Sequence, residues 1–176
     1  MENPLIEISN LTFQYGTHAV LKDFSWKIFK GENWMIGGSS GSGKTTLAKI
    51  ISGEITSFEG SLNIHFDPDS ELPTKVLYVP NWFKFTNLEG DRNFYYQQRY
   101  NKFAKNDTLT VFAELKRFSE EEKLKFSEVE SYLEIFGFEN FREQQLIELS
   151  SGEHKKLQLI KALWLKPQIL IIDQPY

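Results

Sequence analysis

Cysteine is missing from all 176 residues, which rules out disulfide staples and thiol catalysis and agrees with a cytoplasmic setting. Long apolar runs are missing too: none approaches the ~18–20 residues that a membrane-spanning helix needs. The first ten residues, MENPLIEISN, are acidic and lack the basic-then-apolar plan of a secretory leader. There is no excess of positive charge, since 20 Lys and Arg face 24 Asp and Glu for a formal net charge of -4. That balance gives no global drive toward nucleic acid or an anionic membrane. Internal repeats and low-complexity linkers are also absent. What remains is 40% hydrophobic and 25% charged residues, the profile of one folded domain with a real core.

The most informative stretch is GSSGSGKT, residues 38–45, which matches the phosphate-loop pattern G-x-x-x-x-G-K-[ST]. Residues 33–36 before it are short and mostly apolar, as a buried strand would be. After it, Leu47, Ala48, Ile50 and Ile51 recur at helical spacing, and Gly53 can end that helix in a left-handed conformation. Strand, glycine loop and helix form the context in which such a loop cradles polyphosphate. Gly38, Gly41 and Gly43 let the backbone approach without Cβ atoms, while Ser39, Ser40, Ser42 and Thr46 share the loop and helix start. The helix N-terminus adds partial positive charge. Lys44 would reach the β- and γ-phosphates, and Thr45 would offer its hydroxyl to Mg²⁺.

Around this loop the pattern is β-rich first and helical later. Residues 5–13 alternate as a strand with an irregularity near Asn10, residues 15–17 turn, and residues 20–29 resume an extended pattern. Further strands are expected at 60–66 and 76–79. From about residue 93, aromatics and glutamines lead into a charged helical block. There Val111, Leu115 and Phe118 share a face, and Ser127 with Glu130 suggests a capping box. A helix over 152–165 and a near-continuous apolar strand over 168–172 follow, the latter reading as buried on both faces. An α/β fold results, with a phosphate-loop parallel-sheet core, an N-terminal antiparallel portion and a helical insert at about 93–148.

The last strand ends in Asp173, where a second Mg²⁺-coordinating group is expected. Before it stands LSSGE, residues 149–153, which by itself is also a plain Ser-x-x-Glu helix cap. With phosphate loop, LSSGE and strand-terminal Asp in this order, the chain resembles the ATP-binding cassette (ABC) ATPase family over nearly its whole length. Ser151 departs from that family's LSGGQ or LSGGE signature. The resemblance implies ATP and Mg²⁺ as cofactors and a cassette that dimerises around Mg-ATP. Ser150 and Gly152 would contact the γ-phosphate held by the opposite cassette, and Tyr15 would stack on adenine. It also implies a Mg²⁺-sensing glutamine after the 76–79 strand. Asn81 stands there, with Gln97 and Gln98 as rivals farther along.

Gln174 departs from the glutamate that the family places after the aspartate as general base. A carboxamide can orient water but cannot take its proton at neutral pH. Slow turnover with retained ATP binding is therefore expected, through a native clamp, an engineered trap, or catalysis at a second, intact cassette. His18, His65 and His154 all precede Asp173, so none can be the family's switch histidine. The D-loop is also absent, and the chain reads as a domain incomplete at its C-terminus, over residues 1–176, marginally stable or incompetent for hydrolysis alone. The expected partners are a second cassette, as homodimer or tandem domain, and a membrane permease where the cassette serves a transporter, peripheral at the inner membrane. The alternative is a soluble tandem cassette or an ATP-dependent clamp, in translation or repair, with no transport role.

Overall fold

The computed structural model describes residues 3–66, 75–81, 84–86, 92–94 and 109–174. The rivals Gln97 and Gln98 lie outside these residues. Strand β1 (Ile6–Tyr15) turns through Gly16 and Thr17 into β2 (His18–Ile28), and the two pair antiparallel from Ile6↔Ile28 to Tyr15↔His18. Helix α1 (Lys44–Ile51) follows the phosphate loop, and β3 (Glu59–Ile64) adds to the other side of β1, giving the order β2-β1-β3. The irregularity expected near Asn10 is a bulge: pairing slips between Ile8 and Leu11, and Asn10 takes a φ of 51°. Gly60 lies against this bulge, where a Cβ would sit 2.5 Å from the carbonyl oxygens of Ser9 and Asn10. No other residue fits there without moving backbone.

Strands β4 (Val76–Val79) and β7 (Ile169–Ile172) pair in parallel, Val76↔Ile169 through Val79↔Ile172. Between them come a short hairpin, β5 (Lys84–Thr86) with β6 (Arg92–Phe94), and the helices α2 (Val111–Glu121), α3 (Val129–Ile135) and α4 (Ser151–Trp164). Parallel pairing is expected here, because α4 supplies the crossover that carries the chain back to the same sheet end.

Two apolar cores follow from this order. In one, Leu47, Ile50 and Ile51 of α1 pack on Ile6, Ile8, Leu11 and Leu21 of the antiparallel sheet, with Ile169 and Ile171 of β7 alongside. Each such side chain, fully buried, contributes ~1.5–3 kcal/mol, so the helix behind the phosphate loop is held from two sides. In the other, Val111, Leu115, Val129, Leu133, Phe138, Leu157, Ile160 and Trp164 join α2, α3 and α4. Helix α4 thus belongs to the helical core while its start faces the parallel strands. Buried Glu114 bridges α2 to α4 through Lys161 at 2.7 Å and also accepts from Arg117 at 2.6 Å.

Three local expectations are corrected. Residues 33–36 form no strand, and Trp34, Met35 and Ile36 are exposed, Met35 at 94%. Apolar composition alone does not make a strand, and no ladder partner for this backbone lies among the described residues. Strand β7 is only half-buried and Ile172 is exposed, since β4 is its one neighbour among the described residues. The Ser127–Glu130 capping box does not form: a 3-10 turn at Phe126–Glu128 precedes α3, and Glu130 instead pairs with Arg142.

Candidate functional site: the phosphate loop and the strand ends around it

Helix α1 begins at Gly43, which has a φ of 88° and offers no side-chain cap. A Cβ at this residue would lie 3.1 Å from Val20 and Leu21 and 3.2 Å from the Val20 carbonyl. The bare backbone therefore lets the loop press onto β2, and the first N–H groups of α1 remain available to an anion. Gly38 and Gly41 also lie at positive φ, 151° and 80°. Lys44 folds back over the loop, its ammonium donating to the carbonyls of Gly38 at 2.9 Å and Ser39 at 2.8 Å and to Ser42 Oγ at 3.1 Å. These contacts hold the cation over the loop. Thr46 is buried, and its backbone N–H belongs to the first helical turn, whose donors have no intrahelical partner.

The strand ends meet this loop. Thr45 Oγ1 donates to Asp173 Oδ2 at 2.7 Å across 128 residues of sequence. Tyr78, on β4, donates its phenol to the same oxygen at 3.2 Å. Burial pushes the Tyr78 hydroxyl up, and the adjacent Asp173 charge adds to that, so the phenol stays a donor at every physiological pH. One strand over, Asn81 Nδ2 donates to Gln174 Oε1 at 2.6 Å. The Gln174 amide then presents donor hydrogens on its free side, which can orient a water or an oxyanion but cannot accept a proton. Gln174 carries a positive φ of 48°, a left-handed conformation uncommon for a residue with a side chain.

Helix α4 begins at Ser150, whose Oγ accepts from the Glu153 N–H at 3.3 Å, while Glu153 Oε2 accepts from the Ser150 N–H at 2.6 Å. The capping box and the signature motif are therefore the same residues. Gly152 is exposed, with nothing within 4 Å of the place a Cβ would occupy. Tyr15 is 55% exposed, with its ring edge-on to Phe13 at 4.9 Å, which leaves a face open for a planar base.

Hard oxygen donors suit Mg²⁺, which prefers one or two protein oxygens and completes its shell with waters and phosphates. Thr45 and Asp173 form such a pair. No group of three or more His, Cys, Asp or Glu that could hold a metal by itself occurs among the described residues.

The family model described as "ABC transporter" matches residues 21–176. The chain belongs to the ABC transporter family. This cassette is 30% identical over 171 residues to the sulfate/thiosulfate import ATP-binding protein of Bacillus cereus, covering 97% of the cassette and 45% of that relative. It is 30% identical over 179 residues to the spermidine/putrescine import ATP-binding protein of Fusobacterium nucleatum, covering 99% of the cassette and 43% of that relative. The cassette thus spans under half the length of these two proteins. In fold it is similar to cbiO1 of Clostridium perfringens, part of an ABC transporter complex, with a TM-score of 0.69 and 21% identity over 99% of this chain and 66% of that one. No helix among the described residues is long and apolar enough to cross a membrane.

Of the residues expected from the motifs, Thr45 is brought to Asp173 and Asn81 to Gln174, while the rivals Gln97 and Gln98 lie outside the described residues. Two residues at the strand ends escaped the motif reading. Tyr78 alternates along a strand where a phenol looks like ordinary packing, and Lys155, whose ammonium donates to the Pro80 and Asp173 carbonyls, lies in α4 where lysine looks like solvated helix surface. The spacing of Lys155 from LSSGE, just over one turn past Ser150, was the available signal.

His154, beside Lys155, is 2% exposed. Burial pushes its imidazole down to about 4 from 6.5, against the opposing pulls of Glu153 and a backbone hydrogen bond with Leu146. The unfolded chain takes up this proton near pH 6.5, and the folded chain only near 4. Stability is therefore full above about pH 6.5 and falls as the pH drops toward 4, by at most about 3 kcal/mol. Urea midpoints measured from pH 7 to 4 should show this loss, and His154→Gln should flatten it. An equal slope in both proteins would discard the assignment.

Proposed function

We propose that this cassette binds ATP with Mg²⁺ and, in the intact protein, hydrolyses it slowly as the ATP-binding part of a transporter-type assembly. The observation that carries the proposal is the Thr45–Asp173 hydrogen bond, which places the loop hydroxyl and the strand-end carboxylate on one point. Mg²⁺ held there would neutralise charge on the β- and γ-phosphate oxygens. Lys44 binds the same phosphates, the glycine loop and α1 N-terminus supply backbone N–H donors, and Tyr15 stacks the base. Such stacking is worth ~1–3 kcal/mol. Asn81 takes the place of the metal-sensing glutamine. It reaches Gln174, which orients the attacking water without accepting its proton.

In this reading, residues 1–176 belong to one nucleotide-binding domain, residues about 93–148 are its helical insert, and a second cassette closes over the nucleotide. Ser150, Gly152 and the exposed start of α4 then face the γ-phosphate of the opposite cassette. The identity of the relatives as import ATP-binding proteins supports a permease as further partner and a peripheral position at the membrane. The Asn81–Gln174 amide pair, with no carboxylate base in it, favours a second reading, a clamp in which ATP joins two cassettes with little turnover.

Size-exclusion chromatography with Mg·ATP, run beside phosphate release, separates the two. A dimer with steady release supports the motor, and a dimer without release supports the clamp. Absence of both ATP binding and dimerisation in the intact protein would refute the whole reading.

A further inference from the structure

The ammonium of Lys155 bridges the two strand ends that carry the site. It donates to the Pro80 carbonyl at 2.9 Å and the Asp173 carbonyl at 3.1 Å. Each carbonyl belongs to the peptide just ahead of a site residue, Asn81 in one case and Gln174 in the other. We propose that Lys155 is a positioning residue that ties the signature helix α4 to the metal-side and water-side residues of the ATP site. The proposal rests on the reading of Lys44, Thr45 and Asp173 as the Mg-ATP site.

First, the last rung between the parallel strands is Asp173 N–H to the Val79 carbonyl at 2.9 Å. Beyond it the carbonyls of Pro80 and Asp173 have no strand partner among the described residues, and one three-donor cation satisfies both. Second, Gln174 holds a left-handed backbone, which a residue with a Cβ keeps only when its surroundings fix the flanking peptides. Lys155 fixes the peptide before it. Third, the ammonium is half-buried and sits directly against the Asp173 backbone. A cation in this position sets the tilt of the Asp173 backbone, and with it the direction of the carboxylate toward Thr45. Movement of α4, which begins at the signature residue Ser150, is thereby transmitted to Asp173, Gln174 and Asn81 together.

Lys156 provides a matched control. It lies on the same helix and also donates to a backbone carbonyl, that of Phe136 at 3.1 Å, away from the strand ends. The test is titration of the intact protein with a fluorescent ATP analogue, with Mg²⁺ and with EDTA, alongside a thermal melt. The readout is the ratio of the two affinities. In Lys155→Met the Mg²⁺ enhancement should fall about tenfold, as for loss of hydrogen bonds from a charged donor. Lys155→Gln keeps two N–H donors on a shorter arm, so it should fall about threefold, between the two extremes. Lys156→Met should match the wild type.

An unchanged enhancement in Lys155→Met, or an equal fall in Lys156→Met, overturns the proposal. If Lys155→Met does not fold, Lys155→Gln decides on the same ratio, and no change there overturns it too. A wild-type protein that binds no ATP, or binds it equally with EDTA, instead removes the site reading on which the proposal stands.

Discussion

Replacing Gln174 by glutamate should raise ATP turnover in the intact protein by about 10² to 10⁴, the range a positioned general base supplies. The geometry needs no rearrangement. Asn81 Nδ2 already donates to Gln174 Oε1 at 2.6 Å, and a carboxylate oxygen in that place accepts the same bond. The second carboxylate oxygen then replaces the donor face of the amide with an acceptor, the one chemical property the present side chain lacks. The hydrogen bond favours the ionised form, so the new base should stay charged down to pH values near or below the ordinary glutamate value of ~4.3. Phosphate release should therefore gain an acidic limb that the glutamine protein lacks. ATP affinity should change little, because Gln174 is exposed at the strand end and the phosphate-binding N–H groups belong to the loop. Release that rises by less than about threefold in Gln174→Glu, against the expected factor, would place the limiting step elsewhere, in closure of the two cassettes or in product loss.

The second large effect is expected at Asp173. Asp173→Asn should cost about a hundredfold or more of Mg²⁺-dependent ATP affinity, the upper range for disturbing a metal site. Affinity in EDTA should stay nearly unchanged. One carboxylate oxygen of Asp173 accepts from both Thr45 and Tyr78. Asparagine keeps an acceptor but loses the charge that a hard dication requires. Tyr78→Phe provides the graded comparison. It removes only the outer hydrogen bond that aims the carboxylate, so about a tenfold loss is expected, at the lower end of outer-shell effects. Isothermal titration with and without Mg²⁺ measures both. If Asp173→Asn lost affinity equally in EDTA, its role would be the shape of the loop and not the metal.

Much of the site was legible in the residues alone, and the reason is local. GSSGSGKT acts through backbone geometry within eight consecutive residues, so the spacing of Gly38, Gly43, Lys44 and Thr45 already specifies the loop. Ser150 and Glu153 likewise close their capping box within one helical turn, and Asn10 announces its bulge by breaking the alternation of its own strand. The apolar tetrapeptide at 33–36 shows where such reasoning stops. A strand needs a neighbour for its backbone, and nothing in Trp34, Met35 or Ile36 states whether one lies beside them. The expected Ser127 cap failed for a similar reason, since Glu130 turned to Arg142 at the surface, a competitor twelve residues away.

The sequence by itself determined the phosphate loop, the order of motifs, the absence of a carboxylate at position 174 and the α/β class with its helical insert. Tertiary structure alone decided that Thr45, Tyr78 and Asp173 share one oxygen, that Asn81 reaches Gln174, and that Lys155 holds both strand ends. Each of those contacts joins segments between 18 and 128 residues apart. They exist because β4 and β7 pair in parallel and α4 packs its first turns over their ends, and pairing partners are chosen by the whole core, not by any one segment. The phosphate loop could therefore be recognised as a ligand site from eight residues, while its chemistry was set by residues brought to it from the far end of the chain.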